Sequence, residues 1–162
     1  MEEVTCNLRE RIITSHAVVK TPPPLPRIRM SRIHLVQIFQ NLISNALKFV
    51  EKDPVIVIDG NVKDDVFIIS IKDNGIGINK EYEHKIFNLF HQLNKRKHYE
   101  GTGIGLTICK NIVDKYNGKI WFESQQGKGT TFFISLPISV IHSTEEDAND
   151  TQELKLELAE AN

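Results

Sequence analysis

The run Glu100-Gly101-Thr102-Gly103-Ile104-Gly105-Leu106 sets three glycines at alternate positions against a helical pattern, directly after a basic stretch. A helix start exposes unpaired backbone N–H groups and the positive end of the helix dipole, so it attracts anions, phosphate above all. Glycine lets the anion approach closely because no Cβ intervenes. A dinucleotide-binding turn would need GxGxxG after a buried strand. Here the spacing is GxGxG, Leu106 stands where the last glycine would be, and HQLNKRKHYE precedes it.

A second chemical stripe lies on RIHLVQIFQNLISNALKFV. At 3.6 residues per turn Leu35, Phe39, Leu42, Ile43, Ala46, Leu47 and Val50 share one apolar face. Asn41, Asn45 and Lys48, with His34 and Gln37, fall opposite. Such a stripe can be a solvated face, but asparagine is a poor helix former. An Asn carbonyl oxygen suits Mg²⁺, and a lysine one turn on suits phosphate.

Asp73-Asn74-Gly75-Ile76-Gly77-Ile78 follows a strand pattern and has two readings. Asp-Asn-Gly is a strong turn signal. Alternatively, Asp73 accepts from an adenine 6-amino group, Gly75 and Gly77 leave room for the ring, and Ile76 and Ile78 form apolar walls or core. Phe87 and Phe90 read as aromatics closing the sheet. Lys95-Arg96-Lys97-His98 is either a solvated loop or part of a phosphate-covering lid over about 91–101, mobile without nucleotide. Gly127-Lys128-Gly129-Thr130-Thr131 is a hairpin turn in which either threonine could reach an adenine-side water.

The elements expected to position these residues begin with a helical or frayed segment over 1–14 and an edge strand over 16–20, ended by Pro22–Pro24 and Pro26. Ser31 is the expected N-cap of a helix over 32–50. Strands follow over 55–59 and 66–72 around a turn at 61–65. A short helix over 80–90 and an exposed loop over 91–100 precede a helix over 104–116, stopped by Asn117-Gly118. Strands over 119–124 and 130–137 flank a turn at 126–129. The pattern predicts a two-layer α/β sandwich, its mixed, mainly antiparallel sheet covered by helices on one face. Three parts are expected: an N-terminal segment 1–21, a binding domain 22–142 and an acidic tail or linker 143–162.

Composition narrows the function classes. The 162 residues are 40% hydrophobic and 25% charged, enough for one cored domain, and no apolar run approaches a membrane span. The start reads as no signal peptide, and two cysteines, one in the apolar pattern around Ile108–Val113, read as reduced thiols of a cytoplasmic protein. The tail holds seven of the 21 acidic residues and one of the 20 basic ones, leaving 1–142 with a formal charge of +5. That suits a polyphosphate or an acidic partner. Without a basic stripe interleaved with aromatics, it does not suggest nucleic acid.

Taken in order, Asn-x3-Asn-x2-Lys on a helix, Asp-x-Gly-x-Gly after a strand, paired Phe, GTGIGL opening a helix and GKGTTF strongly resemble the catalytic and ATP-binding domain of sensor histidine kinases. These are that family's N, G1, F, G2 and G3 boxes. The resemblance covers Pro22–Pro137, with a weaker match over Ile12–Pro26. It implies the Bergerat fold of gyrase, mismatch-repair ATPases and an ATP-dependent chaperone, with ATP and Mg²⁺ as ligands. Carried over, Asn45 looks like the Mg²⁺ ligand, with Asn41 and Lys48 near the phosphates; these three form the implied catalytic set. Asp73 looks like the adenine carboxylate, assisted by Gly75, Gly77 and Ile78. Gly101, Thr102, Gly103, Gly105 and Leu106 would line the phosphates, and Thr130 is favoured over Thr131 in the last box.

Hydrolytic members of that superfamily carry a glutamate one turn before the Mg²⁺ asparagine. Asn41 stands there and cannot act as a base. None of the six histidines is followed by an acidic residue and a long amphipathic helix. The resemblance therefore implies a catalytic half serving a histidine on a separate dimerisation domain, then a response regulator receiver domain. It implies no nucleic acid and no membrane contact by this chain, although a parent kinase could be membrane-anchored. A serine kinase of the anti-sigma-factor type and a non-catalytic nucleotide-sensing module are the alternatives.

Overall fold

Side-chain alternation builds the sheet from one side. In the computed structural model, inward residues Ile56, Ile58, Phe67, Ile69, Ile71, Phe132, Ile134 and Leu136 are all buried, and their strand neighbours are not. The structure describes residues 1–22, 25, 28–50, 52–82, 85–88 and 103–140. The lid over 91–101, the acidic tail, Gly101, Thr102 and Phe90 lie outside the described residues.

Two short helices, α1 (Glu2–Asn7) and α2 (Arg9–Thr14), precede strand β1 (Val18–Lys20). Helix α3 (Arg32–Lys48), strands β2 (Val55–Lys63) and β3 (Val66–Asp73), helix α4 (Gly105–Lys115), and strands β4 (Lys119–Gln125) and β5 (Gly129–Pro137) follow. The five strands run in the order β1-β2-β3-β5-β4. Only β1 and β2 pair in parallel; the other neighbours are antiparallel. Helices α3 and α4 pack against each other and bury Phe39, Leu42, Ile43, Ala46, Cys109, Ile112 and Val113 against the sheet. This is the expected two-layer α/β sandwich.

Some local expectations change. Strands β2 and β3 run further than their alternation suggests, because Asp64 and Asp65 alone make the turn, with φ of 49° and 59°. Two successive positive φ values match the twist of the flanking strands. Residues 80–90 do not make an α-helix among those described. A 3₁₀ turn, Lys80–Tyr82, is followed by isolated turns in which Ile86 N–H donates to Tyr82 O and Asn88 N–H to Lys85 O. Ser31 does stand at the N-cap of α3, but its side chain makes no capping bond; instead its N–H donates to Tyr116 Oη at 3.0 Å. Tyr116 thereby joins the end of α4 to the start of α3. Ile38 also joins the buried face of α3, where the helical pattern did not place it. His16 has φ of 54° and forms a turn, so the edge strand begins only at Val18.

Cys109 is fully buried and Cys6 exposed; both are free thiols, as expected. Burial pushes the Cys109 thiol up to about 12.

Helix α4 ends with Asn117 N–H donating to Asp114 O and Gly118 N–H to Val113 O, both at 3.0 Å. This is a Schellman arrangement whose left-handed residue, φ 55°, is Asn117 rather than the glycine after it. Asparagine tolerates that conformation and alanine does not, so Asn117→Ala should destabilise the fold by about 1–2 kcal/mol. The check is urea unfolding: a lower midpoint with an unchanged slope is expected.

Candidate nucleotide-binding site

Strand β3 ends on Asp73, an inward position on an alternating strand, and so delivers a carboxylate to the buried side of the sheet. Asp73 is only 8% exposed. Its Oδ1 accepts from Gly75 N–H at 2.8 Å and from Thr130 N–H at 3.1 Å. Its Oδ2 makes no hydrogen bond among the described residues. One oxygen therefore holds the protein, and the other is left to the cleft that Asp73 lines with Asn45, Ala46, Phe49, Ile76, Gly77, Ile78, Leu106, Thr130 and Phe132. Of the residues picked out by type and spacing, Asn45, Asp73, Gly77, Ile78, Leu106 and Thr130 meet here, from α3, β3, the loop after it, α4 and β5.

The loop after β3 is tied on both sides. Ile76 N–H donates to Phe49 O at the end of α3, and Gly127 N–H of the β4–β5 hairpin donates to Ile76 O. Asn74 sits at the centre of the Asx turn that Asp73 Oδ1 and Gly75 N–H close, and its own side chain accepts from Val55 N–H and donates to Asp53 O, pinning the start of β2. The glycines are required by the protein's own packing. Gly77 has φ of +73°, and a Cβ there would lie 2.3 Å from Gln125 O. Gly129, which the sequence did not single out, has φ of +99° and would place a Cβ 2.0 Å from Asp73 O. Both conformations and both approaches exclude any other residue. Between them, β5 comes close enough for Thr130 N–H to reach the carboxylate.

A family model described as "Histidine kinase-, DNA gyrase B-, and HSP90-like ATPase" matches residues 30–140. The chain belongs to that family. It is an ATP-binding catalytic domain of the sensor histidine kinase type. It is 41% identical over 139 residues to the phytochrome-like protein Cph1 of a Synechocystis species, covering 85% of this chain and 18% of that protein. It is 39% identical over 118 residues to the sensor protein kinase WalK of Staphylococcus saprophyticus, covering 70% of this chain and 19% of that one. The chain thus spans about a fifth of the length of these relatives. Among solved structures it is similar to the nucleotide-free catalytic domain of histidine kinase ThkA, with a TM-score of 0.70, 28% identity, and coverage of 84% of this chain and 88% of that one. ThkA in complex with the response regulator protein TrrA superposes with a TM-score of 0.67 at 26% identity, over 84% of this chain and 38% of that one.

In this kinase-type domain the remaining predicted residues lie around the cleft, not all in it. Asn41 donates from Nδ2 to Gly105 O at 3.2 Å, fastening α3 to the first residue of α4. Gly105 faces that side chain closely: a Cβ there would lie 3.3 Å from Asn41 Oδ1. Gly103, φ 70°, leads into the helix start. Lys48 does not line the cleft; its Nζ lies 4.9 Å from the centre of the Phe49 ring, beside the groove that Glu10, Arg11, Thr14 and Ser15 form with α3. Gly75 contributes its N–H to Asp73 rather than a cleft surface. Thr131 points to the opposite face, paired with Lys72 and Glu123, while Thr130 is 5% exposed and lines the cleft. Phe87 packs on Phe122 of β4, and Thr107 of α4 donates to Phe87 O, so the aromatic segment and α4 are joined.

Gly129 and Phe132 stand in the GKGTTF run but were not assigned to the site, and Phe49, Ala46 and Ser124 belong to it without being named by a motif. Ser124 was legible in principle as well, since the hairpin register sets it opposite Thr130.

Burial raises the Asp73 pKa above its ordinary 3.8, against the pull of the Gly75 and Thr130 N–H groups. A raised folded-state value favours the neutral acid on folding. That stabilisation is fully present below about pH 3.8 and is lost as pH rises through the folded-state pKa. Asp73→Asn keeps an oxygen for both N–H groups and has no charge to bury. The variant should match the unaltered chain in acid and exceed it in stability near pH 7, measured by urea unfolding across the range.

Proposed function

We propose that this chain holds ATP in the Asp73 cleft and presents its γ-phosphate to a histidine on a separate dimerisation domain. The observation that carries the reading is the divided Asp73 carboxylate: Oδ1 is committed to two backbone N–H groups, and Oδ2 is open to a cleft with apolar walls. An acceptor at the end of an apolar slot suits an adenine amino group. Asn45 lines the same cleft and offers one oxygen to Mg²⁺. No cluster of three His, Cys, Asp or Glu occurs among the described residues, and Mg²⁺ suits such a site, since it takes most of its ligands from phosphates and water.

In this reading Asn45 would hold Mg²⁺, and the ion would supply positive charge against the phosphates. Asn41 holds the start of α4 in place, and Gly101, Thr102, Gly103, Gly105 and Leu106 line the phosphates there. Lys48 reaches the phosphates by leaving the Phe49 ring. Asn41 in place of a glutamate supports transfer over hydrolysis, because an amide cannot take a proton from water. The domain's contribution is positioning and electrostatic stabilisation. A response regulator receiver domain accepts the phosphoryl group next, a partner supported by the ThkA–TrrA complex. None of the described helices is long and apolar enough to cross a membrane, which accords with a cytoplasmic domain of a parent kinase.

Two outcomes test this. By calorimetry, Asp73→Asn should weaken Mg-ATP binding about 10- to 100-fold, because a donor replaces a charged acceptor; unchanged affinity overturns the adenine assignment. With radiolabelled ATP, the chain alone should neither label itself nor release phosphate appreciably, and should label an added cognate dimerisation hairpin. Label on this chain, or label surviving replacement of the hairpin histidine by alanine, overturns the assignment of roles.

A further inference from the structure

Ser124, which none of the ATP-site boxes includes, sits at the centre of a hydroxyl cluster. Its Oγ lies 2.7 Å from Ile78 N, 3.0 Å from Gly129 O and 2.9 Å from Thr130 Oγ1. The protons in this cluster can be placed by counting. Ile78 N–H can only donate, so Ser124 Oγ accepts from it. Gly129 O can only accept, so Ser124 must donate its one proton there; otherwise two acceptors would face each other at 3.0 Å. That leaves the contact with Thr130 to be filled by the threonine's own proton, donated to Ser124 Oγ. All three contacts then carry a hydrogen, and no other assignment achieves this.

We propose that Ser124 is a positioning residue that sets base selectivity by fixing Thr130 as an acceptor. With its proton spent on Ser124, the Thr130 hydroxyl presents only lone pairs to the cleft that it lines with Asp73. Asp73 Oδ2 is likewise an acceptor. The end of the cleft formed by the Asp73 and Thr130 side chains is therefore acceptor-only. It suits a base whose edge carries an amino group with two hydrogens, met directly or through water, and it opposes a base with an oxo group at the same place. The inference rests on the ATP reading above and deepens it: selectivity for a 6-amino over a 6-oxo purine comes from a residue with no need to touch the base.

The test compares Mg-ATP and Mg-ITP binding by calorimetry. A site built for a donor rejects the oxo base strongly, so the unaltered chain should favour ATP by about 100-fold or more. In Ser124→Ala the Thr130 hydroxyl is free to turn and donate, and the ATP-to-ITP ratio should fall about tenfold. Ser124→Thr restores the hydroxyl and should restore the ratio, which a purely structural role for the side chain would not require. Thr130→Val removes the acceptor outright and should narrow the ratio as well, even if Ser124→Ala binds neither nucleotide. A ratio unchanged in Thr130→Val, or unchanged in a Ser124→Ala protein that binds ATP, overturns this inference and leaves the functional reading standing. Failure of the unaltered chain to bind ATP overturns that reading itself.

Discussion

The site depends on one buried carboxylate that does two jobs with its two oxygens. Asp73 Oδ1 draws together the end of β3, the loop after it and the start of β5 through Gly75 and Thr130. Oδ2 keeps its acceptor capacity for the cleft. A carboxylate in this position is costly, as the upward pressure of burial on its pKa records. Two backbone N–H groups offset part of that cost without using the second oxygen.

Everything around Asp73 is arranged to let backbone approach it. Gly129 exists because β5 starts against Asp73 O, and Gly77 because the following loop runs against Gln125 O. The loop is then fastened to α3 through Phe49 O and to the hairpin through Gly127. These are mutual constraints: the hairpin positions Thr130 and Ser124, and the loop positions Ile76 and Ile78. The cleft is the space they leave against Asn45 and Ala46 of α3. Helix α4 is placed by a separate set of contacts, Asn41 to Gly105, Thr107 to Phe87 O and Tyr116 to the start of α3. The Asp73 end of the cleft and the helix α4 side are thus supported independently.

The sequence by itself determined the sheet, because alternation of Ile, Val and Phe with polar residues can bury only one face, and it determined the two long helices through their 3.6-residue apolar period. It also named most of the cleft, since Asn45, Asp73, Gly77 and Thr130 stand in motifs whose order is specific. What it did not contain was direction and proximity. Lys48 shares the stripe of Asn41 and Asn45 by spacing, yet its long side chain rests on Phe49, because a flexible stem goes to whatever surface lies nearest. Gly75 and Gly77 were picked out as clearance for a ligand, but spacing did not show that a Cβ at either would meet the protein's own backbone, at Phe49 O and Gln125 O. Ser31 held the N-cap position while a tyrosine 85 residues away supplied the partner. Ser124 is one unremarkable serine in a strand until the hairpin sets it opposite Thr130 and the β3 loop lays Ile78 N–H upon it. Periodicity is local and can be read along the chain. Which oxygen holds which proton depends on groups brought together from the loop after β3 and from strands β4 and β5, and only the tertiary structure decides that.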